Sequence, residues 1–192
     1  MEDQEVTVSR VKATYRFPAR FMLVAARNHC PCGFYPDRAR CRCSERQIIE
    51  YRNRVSHPIM DRIDIRIEVR PVEVEDLLGD SREESSETVR ARIEEARERQ
   101  LHRYRGESFC FNSAVPQSRL MDYIHLEKKE TELLREVYSQ GELSARGYFK
   151  VLRLARTIAD LAGHEELGEE DLTEALFFRN VSSGEDGRRA AL

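Results

Sequence analysis

Residues 21–55 read FMLVAARNHCPCGFYPDRARCRCSERQIIEYRNRV, and the fold class turns on how this stretch is divided. Phe21 to Ala26 is a short continuous apolar run, as expected of a strand buried in a sheet covered on both faces. Asn28 closes it. Four of the chain's five cysteines follow at once, as Cys30, Cys32, Cys41 and Cys43. Ser44 then offers an N-cap, and Ile48, Ile49 and Tyr51 give a partial apolar stripe, so a helix is expected next. The order is strand, cysteine loop, helix.

Further strands are expected on either side. Upstream, VTVSRV and ATYRF alternate and are rich in β-branched and aromatic residues, the second stopping at Pro18. Downstream, Ile63, Ile65, Ile67 and Val69 alternate up to Pro71, which predicts another strand. These few strands and one helix do not complete a doubly wound sheet. The sheet must be completed by polypeptide lying upstream or by another chain.

Composition changes at EVEDLLGDSREESSE, an acidic, serine-containing stretch. Beyond it four helices are expected. The first is capped by Ser86, carries Val89, Ile93, Ala96, Leu101 and Tyr104 near a 3.6-residue period, and stops at Gly106. A second places Leu133, Leu134, Val137 and Tyr138 on one face and stops at Gly141. A third runs from Ser144 to Gly163 with Tyr148, Val151, Leu152, Ala155, Ile158 and Ala159 as its core face. The last, GEEDLTEALFFR, has acids in its first turn and arginine in its last, matching the helix dipole. The expected organisation is an α/β part over residues 1–79, with the cysteine loop at about 28–44, an all-α part over 80–181, and a disordered tail over 182–192.

The net charge of -3 gives no global nucleic-acid signature. Locally, seven arginines between Arg27 and Arg54 face only Asp37, Glu45 and Glu50, a surplus of +4. Any polyanion contact is therefore expected at the cysteine region. No stretch reaches membrane-span length and the N-terminus is acidic, so an unexported, cytoplasmic protein is expected. In a reducing compartment clustered cysteines favour a metal over disulfides. Four thiolates would hold zinc in a closed, structural site. Free thiols or two disulfides are the alternatives, and Cys-x-Cys is less diagnostic than Cys-x-x-Cys because alternate residues of an extended chain point apart. His29 is a spare donor beside Cys30.

Three more residues stand out, each with an ordinary explanation beside a functional one. Asn28 ends an apolar strand, where open α/β sheets bind ligands and where turns also begin. Arg62 lies between Asp61 and Asp64 and can be a surface ion pair. Arg146 sits in a helix's first turn, where the dipole disfavours a cation unless an anion is near. No GxxxxGK[ST] phosphate loop and no strand ending in paired acids occurs in the chain. Cys110, in an apolar setting, is expected in the core, and His102, His125 and His164 are scattered.

Together the segments FPARFMLVAARNHCPCG, CRCS, QIIEYRNRVSHPIMDRIDIRIEV and SARGYFKVLRLARTIADLAG closely resemble the magnesium-chelatase-like AAA+ ATPases, in particular their competence-type ComM/YifB branch. The resemblance runs from about Val6 to Arg179. His29 stands where that branch usually has proline. The resemblance implies the C-terminal part of an AAA+ core followed by a helical lid. It makes Asn28 the sensor-one residue near the γ-phosphate, Arg62 the arginine finger reaching a neighbouring subunit, and Arg146 the sensor-two arginine. It also implies a homo-oligomeric, hexameric ring that uses ATP and Mg²⁺ and acts on DNA by branch migration or a helicase-like process. The family carries its phosphate loop and magnesium-binding acids upstream of this region, so the chain reads as a C-terminal portion, inactive alone. Two other readings stand beside it: a stand-alone zinc module binding nucleic acid or protein, and a magnesium chelatase subunit, which the cysteine loop disfavours.

Overall fold

The structure, a computed structural model, describes residues 5–19, 21–69, 84–141 and 143–180. The chain divides into two compact units, Met1–Ile63 and Asp64–Leu192. The expected boundary at 79/80 and the tail from 182 lie outside the described residues.

In the first unit, β1 (Glu5–Arg10) and β2 (Ala13–Pro18) form an antiparallel hairpin. Val6 pairs with Phe17 and Val8 with Tyr15, so these four side chains share one face. All four remain exposed. Residues 21–28 follow without regular structure. The expected buried strand is corrected here: Met22 and Val24 are 88% and 84% exposed. A buried strand needs ladder partners on its flanks, and the described sheet has only β1 and β2. After the cysteine loop come α1 (Glu45–Arg52) and α2 (His57–Arg62). The first begins where expected. The Ser44 hydroxyl accepts from the Gln47 N–H, and the Gln47 side chain accepts from the Ser44 N–H at 2.9 Å, a complete capping box.

The second unit is helical: α3 (Ser86–Arg103), 3-10 turns at Asn112–Ala114 and Gln117–Asp122, α4 (Lys128–Ser139), α5 (Ala145–Ala162) and α6 (Glu169–Asn180). The middle of α5 is its axis. Val151, Leu152, Ala155 and Ala159 are fully buried. The first three pack among Leu172 and Ala175 of α6, Leu134 of α4, Leu120 of the second turn, and Val115 and Ile124 beside the turns. Ser144 caps α5 by accepting from the Gly147 N–H at 2.9 Å. Gly163 ends it in the left-handed region at φ 82°, where the His164 N–H bonds the Ala159 carbonyl at 2.8 Å.

Four expectations are corrected in this unit. The cap of α3 is Ser85, whose hydroxyl accepts from the Thr88 N–H at 3.2 Å, not Ser86. The buried stripe of α3 is Ala96, Gln100 and Tyr104, while Ile93 and Leu101 face water. The rotation follows a polar partner: the Gln100 side chain accepts the Asn112 N–H at 3.0 Å. Cys110 is exposed, because the chain alternates there and sends Phe109 inward instead. Residues 65–69 carry no strand ladder. The Arg66 N–H instead bonds the Phe178 carbonyl at 3.0 Å, and its guanidinium bonds the Arg179 carbonyl.

Candidate metal centre

The chain reverses directly after Asn28. The Gly33 N–H donates to the Cys30 carbonyl at 3.1 Å, with Gly33 at φ 84°. A side chain on Gly33 would be strained there and would meet the Asn28 amide. A second reversal follows the cis Tyr35–Pro36 bond. Asp37 organises it, its carboxylate accepting from the Ala39 N–H at 2.9 Å and its carbonyl from the Cys41 N–H at 2.8 Å. Cys43 then leads straight into the Ser44 cap. These turns meet the geometric objection to Cys-x-Cys, because Cys30 and Cys32 lie within the first of them and the second carries the chain back to Cys41.

The four sulfurs converge. All lie within 4.8 Å of one another. Cys30 Sγ is 3.3 Å from Cys32 Sγ and 3.8 Å from Cys41 Sγ, and Cys32 is 3.6 Å from Cys41. A tetrahedral thiolate site with metal–sulfur bonds of about 2.3 Å puts its sulfurs about 3.8 Å apart, so the spacing fits a metal ion. It is far from the ~2.05 Å of a disulfide, and the thiols are free. The Tyr35 N–H also points at Cys30 Sγ from 3.4 Å, a contact that stabilises a thiolate.

The electrostatics of the bare thiols are uneven. Burial opposes ionisation of Cys30, but the Tyr35 N–H and the Cys32 and Cys41 thiols outweigh it and bring Cys30 down to about 6. Cys43 goes the other way. A backbone N–H at Cys32 favours its thiolate, but burial and the negative charge of Cys30 prevail and push it up to about 12. The Cys30 thiolate thus suppresses ionisation of Cys41 and Cys43, and a divalent cation would relieve that repulsion by displacing protons.

The first unit has little else to organise it. Its buried cluster among the described residues is Cys30, Cys41 and Ile48, with Tyr35 and Cys43 against it. Around this cluster guanidinium groups stack on rings that sequence reasoning passed over. Arg40 lies over Phe34 at 4.2 Å, and Arg38 and Arg52 over Tyr35 at 4.7 and 5.1 Å. The available signal was the interleaving of Phe34, Tyr35 and Tyr51 with arginines.

The other expected site residues are distributed between the units. Asn28 is exposed at the mouth of the loop, with its amide beside Gly33. Arg62 is the last residue of α2 and donates to the Pro58 carbonyl at 2.7 Å. Arg146 is exposed in the first turn of α5, in the second unit. His29 is partly buried and is not among the four converging ligands. Among the described residues no helix is long and apolar enough to cross a membrane.

The cysteine unit and the helical unit together define a class. The family model described as magnesium chelatase, subunit ChlI matches residues 1–77, and that for the ChlI C-terminal part matches residues 83–179. The chain belongs to this magnesium-chelatase-like family. Among its relatives are competence protein ComM of Haemophilus influenzae, 37% identical over 93% of this chain, and the YifB protein of Salmonella typhimurium, 32% identical over 94%. An uncharacterized protein of Mycobacterium tuberculosis, Rv2897c, is 32% identical over 95%. These matches cover 34%, 35% and 36% of the relatives' own lengths, so the chain spans about a third of the proteins it matches.

Proposed function

We propose that the chain supplies sensor 1, the arginine finger and sensor 2 of a magnesium-chelatase-like AAA+ ATPase. In this reading residues 1–79 are the C-terminal part of the core and 80–181 the helical lid. One observation carries it. The run at residues 21–26 has the composition of a buried strand, is exposed, and leads directly into Asn28 and the cysteine loop. A strand-like run of this kind needs a sheet around it, and the family's core sheet is the candidate. Asn28, at its end, then lies where it can orient the attacking water.

Arg62 would neutralise charge developing on the transferred phosphoryl group of a neighbouring subunit. Arg146 would meet the nucleotide phosphates, which gives the first-turn cation its anion. The whole protein would be a homohexameric ring using ATP and Mg²⁺. The competence name of the Haemophilus relative supports a DNA motor, acting in branch migration or a helicase-like process during DNA uptake or recombination. The metal held by Cys30, Cys32, Cys41 and Cys43 is zinc on this reading, since four thiolates in a tetrahedron suit it and leave no open position for catalysis. A non-catalytic zinc module binding nucleic acid is the second reading, favoured by the stacked arginines of the loop.

The test joins the chain to the family's phosphate-loop segment. The product should hydrolyse ATP, and Arg62→Ala should lower turnover about 10³-fold or more while nucleotide binding persists. Normal turnover by that variant removes the finger assignment.

A further inference from the structure

We propose that the arginine–aromatic face of the cysteine loop is a binding surface for single-stranded nucleic acid, contacted through its phosphates and its bases. This deepens the DNA reading above but rests on the loop's own charge and geometry.

The charge is available. Of the three acids in the region, Glu45 pairs with Arg38 and Glu50 with Arg46, at 2.7 Å in the second case. Asp37 is engaged by backbone N–H groups. Among the described residues Arg40, Arg42 and Arg54 have no carboxylate partner, and all three are exposed. A solvated surplus of this kind attracts a polyanion.

The geometry narrows the polyanion. Arg40 lies 4.2 Å from the Phe34 ring centre and Arg54 5.5 Å from that of Tyr51. A guanidinium held over a ring spends none of its N–H groups on that contact, and they remain available to grip a phosphate with two hydrogen bonds. Stacking also reduces the side-chain entropy still to be lost on binding. Phe34 remains 42% exposed, so part of its ring faces solvent beside the Arg40 cation. Rings interleaved with fixed cations match the alternation of bases and phosphates in an unpaired strand. A duplex hides its bases, and a lipid surface calls for aliphatic side chains that can insert, so both fit this face less well.

The whole 192-residue chain, loaded with zinc, is titrated into a fluorescently labelled oligothymidine of about 20 nucleotides at about 50 mM salt, and anisotropy is followed across salt concentrations. The wild type should bind. The Arg40→Ala, Arg42→Ala, Arg54→Ala triple variant should bind at least about tenfold more weakly, with the log–log salt slope reduced by about 2, near 0.7 per lost phosphate contact. Phe34→Leu should weaken binding with the slope unchanged, because it removes stacking and no charge. Unchanged helicity and zinc content in each variant exclude misfolding. No binding by the wild type overturns the proposal, as does stronger binding to anionic vesicles or an acidic peptide. Binding by the triple variant with wild-type slope overturns this face while leaving a DNA contact elsewhere standing. The ATPase reading is judged separately, by turnover in the Arg62 experiment.

Discussion

Asp160 shows what a single side chain can hold together. It is completely buried on α5. Arg103 of α3 forks onto it, one N–H at 3.0 Å, and Arg156 adds another at 3.1 Å. The Asn112 amide donates from 2.9 Å and in turn accepts from the Tyr104 hydroxyl at 2.6 Å. Arg156 also ties down the carbonyls of His164 and Glu165 beyond the helix. Burial alone would raise the Asp160 carboxyl, but Arg103, Asn112 and Arg156 hold it below the usual carboxylate range. Its stabilisation is therefore present above the unfolded value of about 3.9 and lost as pH falls through the lower folded value. Asp160→Ala should cost about 3–5 kcal/mol in urea melts at neutral pH, since two cations lose a buried partner. The variant should also lose less stability than the wild type between about pH 5 and pH 2. Equal acid sensitivity would show that Asp160 is not the titrating group. Arg156 and Asp160 stand at helical i,i+4 spacing, but nothing in the sequence joined them to Arg103, which lies far away along the chain. They meet it only because α3 packs across α5.

At the scale of elements the caps were the readable part. Ser44 and Ser144 accept from the N–H three residues on, and Gly163 supplies the left-handed residue that ends α5. These signals act over a single turn, which is why a local reading finds them. The cysteine loop was readable as a ligand set, but its convergence depended on turns at Gly33 and Asp37. Since the first unit's buried cluster is largely thiols, metal binding and folding should be coupled there. Purified protein should contain about one zinc per chain. Cys30→Ser or Cys41→Ser should abolish it. A strong chelator should collapse near-ultraviolet dichroism from Tyr35 and Tyr51 while most helical signal persists. Wild-type protein that is metal-free yet keeps that aromatic signal would contradict a structural metal.

Over the whole molecule the contrast between the two units is energetic. The helical unit closes its own core around α5. The first unit instead leaves Val6, Val8, Tyr15 and Phe17 on one hairpin face, and Phe21 to Val24 beside no ladder, all exposed. Apolar surface of this extent should be accessible to apolar probes. The chain should bind a dye such as ANS in its folded state. Met22→Ser with Val24→Ser should reduce that fluorescence without lowering the melting temperature, because both side chains already face water. A large loss of stability would mean that they are buried in solution.

The sequence alone determined the family, the candidate metal cluster Cys30, Cys32, Cys41 and Cys43, the caps of α1 and α5 and most of the helices, because each depends on residues close together along the chain. It also carried the strand-like patterns at residues 21–26 and 63–69, but a pattern states only which side chains prefer burial. Whether a strand forms depends on a neighbour able to take its backbone hydrogen bonds, and only the tertiary structure shows those neighbours. It laid Arg66 against the end of α6, turned Gln100 inward and Ile93 outward on α3, and stacked arginines on the rings of the cysteine loop. Each of these depends on contacts between segments distant in sequence or on the path of an irregular loop, and no local periodicity encodes them.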